Sequence, residues 1–150
     1  MTKGPKGWNL ELGLWRELET VMPAAGWTKL TFEPLSWNRV PDAPGVYMVT
    51  GGPPLLKGRP HSQFETPLYI GESSRSVQGR FRAHTGERCQ PSVLKLRELY
   101  DEARYPTLYF HFIQLPRDIV KKAETLLIEC YGPAANRKSG LTLNPGVPAG

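Results

Sequence analysis

The chain has 150 residues, 39% of them hydrophobic, and carries a formal net charge of +5. That length fits one globular domain with a small extension, and a core of that size needs no covalent staple. No apolar run approaches the roughly 18 residues of a membrane-spanning helix, which excludes a membrane-spanning class, and the N-terminus MTKGPKGWNLELG lacks the apolar stretch of a signal peptide.

Residues 9–22, NLELGLWRELETVM, place Leu10, Leu14, Leu18, Val21 and Met22 at helical spacing, with Asn9 as a candidate N-cap and Pro23 as the stop. All four tryptophans (8, 15, 27 and 37) fall in the first 37 residues. Residues 1–44 are therefore expected to form a helical, Trp-rich extension. It either packs on the main domain or offers a surface to a protein partner or a second copy. Gly45–Thr50 reads as a short strand behind the turn-like Pro41-Asp42-Ala43-Pro44. Residues 51–65, GGPPLLKGRPHSQFE, are too long and too rich in Pro and Gly for a hairpin turn, and loops of this kind are often functional.

Leu68–Ile70 reads as a second strand, residues 76–84 and 92–103 as helices, and Thr107–Leu115 as the clearest strand, aromatic and β-branched. Asp118 is the expected cap of a helix reaching Tyr131, where Gly132-Pro133 stops it. The predicted fold is α/β of the α+β type, with a central three-stranded, mainly antiparallel sheet flanked by helices over residues 45–138. Residues 139–150 form a short, loosely ordered tail. Cys89 and Cys130 stand at no metal-ligand spacing and read as reduced thiols of a cytoplasmic protein.

The charge is uneven. Residues 1–44 hold five basic and five acidic side chains, and residues 45–150 hold fourteen basic against nine acidic. Within 75–97 there are six basic residues (Arg75, Arg80, Arg82, Arg88, Lys95, Arg97) and one acidic residue, Glu87. That stretch suits a polyanion such as DNA, although a solvated helix face would look the same. The run His84-Thr-Gly-Glu-Arg88 is like a zinc-finger linker, but no Cys pair precedes it. His111, between Phe110 and Phe112, reads as structural.

Arg80 and His84 share one helix face, and Tyr47 and Tyr69 lie on the two predicted strands that precede it. Glu124 is the one acid on an otherwise apolar stripe of Ala123, Leu127, Ile128 and Tyr131. A hard cation is a fitting partner for it, and an ion pair with Lys121 or Lys122 is the plain alternative. Phosphodiester hydrolysis needs these groups: something to activate water, a cation on the phosphate oxygens, and stabilisation of the leaving oxygen.

Gly45-Val46-Tyr47 followed by Tyr69-Ile70-Gly71 resembles the paired motif of the GIY-YIG nucleases. Arg80-Phe-Arg-Ala-His84 resembles that family's Arg-x-x-x-His helix. Glu124-Thr-Leu-Leu-Ile128 with Gly132, Pro133 and Asn136 resembles its closing helix and turn. The resemblance covers about residues 42–138. It implies a divalent-metal-dependent DNA endonuclease with Tyr47 as general base, Tyr69 and His84 in support, and Arg80 on the phosphate. It further implies Glu124 on one Mg²⁺ or Mn²⁺ ion and Asn136 orienting the site. DNA is expected to meet Arg75, Arg82 and Arg88, and Lys57 and Arg59 of the 51–65 loop. A catalytically weak binding module of the same fold, or a nuclease subunit dependent on a partner, are the alternatives. Two departures stand out: one extra residue between the YIG motif and Arg80, and an acid, Glu72, directly after Gly71.

Overall fold

The computed structural model describes residues 11–22, 26–52, 65–103 and 107–136. Lys57 and Arg59, the 139–150 tail and the Asn9 cap lie outside the described residues. In chain order the elements are α1 (Leu12–Val21), β1 (Thr28–Thr31), a 3-10 helix (Pro34–Arg39), β2 (Gly45–Gly51) and β3 (Thr66–Ser73). There follow α2 (Val77–Thr85), α3 (Pro91–Ala103), β4 (Tyr109–Gln114), α4 (Val120–Tyr131) and a closing 3-10 turn (Ala134–Asn136).

The strands form one sheet in the order β1-β4-β2-β3, with every neighbouring pair antiparallel. The α+β class with helices on an antiparallel sheet is as expected, but the sheet has four strands and not three. The additional strand is β1, inside the segment read as a helical extension. It was hidden because Thr28-Lys29-Leu30-Thr31 buries only Leu30, and four residues with one buried side chain give no periodic signal. β1 exists because β4 presents a free edge, pairing Leu30 with Phe110 and Thr31 with Tyr109. β3 also runs longer than Leu68–Ile70, because the seven residues of β2 offer partners out to Ser73.

Alternation along the strands sorts the core into two layers. Tyr47, Val49, Tyr69, Phe110 and Phe112 face α2 and α3, where Val77, Phe81, Val93 and Leu96 fill the layer. Phe81 meets Phe110 edge to face, with centroids 4.8 Å apart. On the other face, Val46, Ile70 and Ile113 pack with Leu18 and Met22, and with Ala123 and Leu127 of α4. Trp15 of α1 meets Tyr131 of α4 edge-on at 5.1 Å.

Helix ends follow local chemistry. The Ser76 hydroxyl caps α2 by accepting from Gly79 N at 2.9 Å, and α4 ends on Gly132 in the left-handed region at φ 55°. Asp118 does not cap α4. A turn closed by Ile119 N on Pro116 O at 3.1 Å puts Ile119 at the cap position instead. Cys89 and Cys130 are free thiols. No helix among the described residues is long and apolar enough to cross a membrane.

β3 is an edge strand, and Asn136 closes part of that edge. Ile70 N donates to Asn136 Oδ1 at 2.6 Å, and Asn136 Nδ2 donates to Ile70 O at 2.7 Å. One side-chain amide thus stands in for a neighbouring strand at Ile70. Asn136→Ala strands both backbone groups and is expected to lower stability by about 1–3 kcal/mol. An unchanged urea midpoint for that variant would show that the clamp contributes nothing.

Candidate active site

The antiparallel register sets Tyr47 directly opposite Gly71. A Cβ added at Gly71 would overlap the Cζ and Oη atoms of Tyr47 and come within 2.9 Å of its Cε2. The phenol therefore lies flat against the β3 backbone, in space that only glycine leaves open. Tyr47 is 2% exposed, and its ring stacks on Phe110 at 5.1 Å.

The hydroxyl of Tyr47 lies 2.7 Å from His84 Nε2. His84 is itself 2% exposed, one turn after Arg80 on α2. The end of α2 is held from α3: Arg97 Nη1 donates to His84 O and to Gly86 O, both at 2.9 Å. A guanidinium on the last carbonyls of a helix satisfies acceptors that have no partner within it.

Burial, reinforced by the Arg80 and Arg97 charges, lowers the His84 pKa from 6.5 to about 4, so the ring is neutral at pH 7. Its Nδ1 is buried and has no hydrogen-bond partner among the described residues. A neutral imidazole carries one N–H, and an orphaned buried donor is rarer than an orphaned acceptor. The favoured tautomer therefore has its hydrogen on Nε2, donated to the Tyr47 oxygen. Burial raises the Tyr47 pKa well above 10; Tyr69, Glu124 and Glu72 add to the rise, and Arg80 opposes it. The Tyr69 pKa is also raised, by burial first and then by Glu124.

A cavity of about 340 Å³ brings together Tyr47, Tyr69, Arg80, His84 and Glu124. Five side chains singled out by the sequence, from two strands and two helices, thus meet in one place. Asn136 does not line this cavity and lies behind it on Ile70. Arg88 reaches the cavity, whereas Arg75 and Arg82 do not line it, and Arg82 stacks over the Trp37 ring at 4.6 Å.

Two further cavity residues escaped the sequence reading of the site. Glu72 lines the cavity, so the acid after the motif, expected either to face away or to help bind metal, does not face away. Gln90 accepts a hydrogen bond from Tyr69 Oη at 2.5 Å. Its one sequence signal is a glutamine directly before Pro91, where a helix start ordinarily carries a short capping side chain. A larger cavity, about 490 Å³, lies beneath α1, lined by Trp15, Trp27 and Met48, and shares none of the five.

Glu124 pairs with Lys121 at 3.6 Å, but the lysine side chain is 78% exposed against 17% for the glutamate, so the pair is a weak one. Desolvation raises the Glu124 pKa first, and the nearby Glu72 raises it further. No group of three His, Cys, Asp or Glu among the described residues could cage a metal ion. Two neighbouring carboxylates beside phenol oxygens nevertheless suit Mg²⁺, which binds through one or two carboxylates and keeps waters and substrate phosphates as its other ligands. The donor set fits a divalent cation.

No family model matches the chain, and no curated protein matches it. Two solved structures are similar to it. One is the GIY-YIG N-terminal endonuclease domain of UvrC from Thermotoga maritima bound to its catalytic divalent cation, magnesium. It is 20% identical, with 66% of this chain and 89% of that one covered and a TM-score of 0.42. The other is a point mutant of the same domain bound to the catalytic divalent cation, 19% identical, covering 69% and 93%, with a TM-score of 0.45.

Two outcomes follow from the geometry. The unfolded chain takes up a proton on His84 near pH 6.5 and the folded chain only near pH 4, so the buried neutral ring stabilises above pH 6.5, and that stability is lost as pH falls toward 4. The loss reaches about 3 kcal/mol and is absent from the stability curve of His84→Gln, measured by denaturation across pH 4–7. Gly71→Ala is expected to cost about 1–3 kcal/mol and to displace the Tyr47 ring, read as altered near-ultraviolet circular dichroism. A spectrum and midpoint equal to wild type would contradict the close approach.

Proposed function

We propose that the chain is a divalent-metal-dependent endonuclease of the GIY-YIG type that hydrolyses DNA phosphodiester bonds. The observation that carries this reading is the Tyr47 phenol, fixed against Gly71 and hydrogen-bonded to a neutral His84. That arrangement opens on a cavity shared with a guanidinium and two carboxylates. A core tyrosine needs one hydrogen-bond partner; it does not need an arginine, a histidine and two acids around it.

In this reading Tyr47 is the general base. His84 Nε2–H donates to its oxygen and stabilises the phenolate, and Arg80 offsets the remaining charge. Once its own proton has left to solvent through the cavity, Tyr47 takes a proton from the attacking water as that water adds to phosphorus. Arg80 forks onto the phosphate oxygens, where charge develops in the transition state. Glu124, with Glu72 beside it, would hold a divalent ion, which supplies Lewis-acid stabilisation of the leaving oxygen. Neutralising those acids also removes two of the charges that hold the Tyr47 pKa up. The second carboxylate is thus compatible with phosphate binding.

Asn136 acts by holding β3 and hence the Tyr69-Ile70-Gly71 stretch. Arg75, Arg82 and Arg88 line the path of the DNA backbone, with Arg88 nearest the cleavage point and Lys57 and Arg59 contributing from their loop. Of the segment expected as an extension, α1 packs against α4 and β1 joins the sheet.

The test is cleavage of supercoiled plasmid, linear duplex, single-stranded DNA and RNA with Mg²⁺, Mn²⁺ or EDTA. Wild type cuts DNA only with a metal. Glu124→Gln loses cleavage by on the order of 100-fold or more, and Tyr47→Phe by on the order of 10²–10⁴ while still binding duplex. Binding without cutting of any substrate by wild type would leave a nucleic-acid-binding module, or a subunit awaiting its partner.

A further inference from the structure

Gln90 belongs to none of the motifs, yet its placement is tightly constrained. Its carbonyl accepts from Leu94 N at 2.9 Å, which makes it the residue that caps α3. Cap positions favour Ser, Thr, Asp or Asn, whose short side chains turn back onto the helix. Gln90 breaks that preference, and its side chain reaches outward instead. Pro91 restricts the backbone of the residue before it, and Arg97 anchors the other end of the connecting loop at His84 and Gly86. A local rule broken on a rigid support is the pattern expected where a side chain serves a site.

That side chain meets Tyr69. The phenol has one proton and donates it to Gln90 Oε1 at 2.5 Å. What remains on the Tyr69 oxygen is acceptor capacity, directed toward the Tyr47 hydroxyl, its other hydrogen-bond partner. A phosphate oxygen is itself an acceptor and gains nothing from such a partner. A water molecule has protons to give. Tyr47 and Tyr69, with ring centroids 6.3 Å apart, border the same cavity.

We propose that Gln90 is a positioning residue for the cleavage reaction: by taking the Tyr69 proton it leaves Tyr69 as an acceptor that orients the attacking water for Tyr47. The inference rests on the nuclease reading. Without Gln90 the Tyr69 hydroxyl is free to rotate and donate to phosphate, which holds bound substrate without aligning the nucleophile.

The experiment uses the full chain with Gln90→Leu, Gln90→Glu (acceptor only) and Gln90→Lys (donor only), each also in a Tyr69→Phe background. Gln90→Leu and Gln90→Lys are expected to lower kcat by on the order of 10-fold to 100-fold. Gln90→Glu keeps kcat within about threefold and raises KM, because its added charge repels phosphate but still accepts the Tyr69 proton. In the Tyr69→Phe background Gln90→Leu has no further effect on kcat. Rescue by lysine in place of glutamate, additive losses in the double variant, or a Gln90→Leu enzyme of wild-type kcat would each overturn the proposal.

A second readout needs no turnover. The Gln90 side-chain amide signal in ¹H–¹⁵N spectra, identified by its loss in Gln90→Leu, moves in Tyr69→Phe. An unmoved signal overturns the contact itself. A wild type that cuts nothing while the amide signal moves overturns the nuclease reading, and with it the role in cleavage, but not the bond.

Discussion

The close approach of the Tyr47 ring to the backbone of Gly71 is the constraint from which the rest of the site follows. It requires that β2 and β3 pair in one register, because a slip of one residue would set the phenol against Ile70 or Glu72 and turn it to the other face. It requires glycine at position 71, where a Cβ would occupy the space of the ring. Once the phenol is fixed, its oxygen must find a partner, and α2 provides one in His84 at 2.7 Å. The helix can provide it because Phe81 locks its inner face onto Phe110 and Arg97 ties down its last carbonyls.

The electrostatics of the cavity are held in opposition. Burial and two guanidinium groups keep His84 neutral, while burial and neighbouring acids keep the proton on Tyr47. In the bare protein the pair therefore rests with Tyr47 protonated and His84 uncharged. Positive charge beside Glu124 and Glu72 would lower the cost of the Tyr47 phenolate, since both acids help to hold its pKa up. A cation bound there would therefore favour loss of the Tyr47 proton.

What could be read from the sequence tracks how much each element depends on its own residues. The aromatic run of β4 and the apolar spacing of α4 carry their own signals, and both elements lie where that spacing sets them. Tyr47, Tyr69, Arg80, His84 and Glu124 could be found because their types and order resemble a known motif, and the structure brings them to one cavity. β1 could not be, since Thr28–Thr31 is a strand only by courtesy of the β4 edge. Asp118 looked like a helix cap until the turn from Pro116 moved the start of α4 past it. Asn136 was visible as a motif position, but its bonds to Ile70 belong to the folding of the chain over 66 residues of separation. Gln90 left only the absence of a good cap, a signal that gains meaning once Tyr69 is seen beside it.

The position of the site at β3, on the outside of the sheet, has its own logic. In the middle of a sheet the two faces are separated by backbone, and side chains from opposite faces cannot meet. At an edge strand they can. Glu72 shares the face of Ile70 and α4, while Tyr47 and Tyr69 belong to the face of α2, yet all three line one cavity with His84 and Glu124. The glycine at position 71 thins the strand at that point and shortens the reach between the two sets. An exposed edge is also a template for unwanted strand pairing. Asn136 occupies the free backbone groups of Ile70, one residue before that gap. Asn136 thus protects the strand that carries Tyr69 and Gly71. That role accounts for its position without a place on the cavity itself.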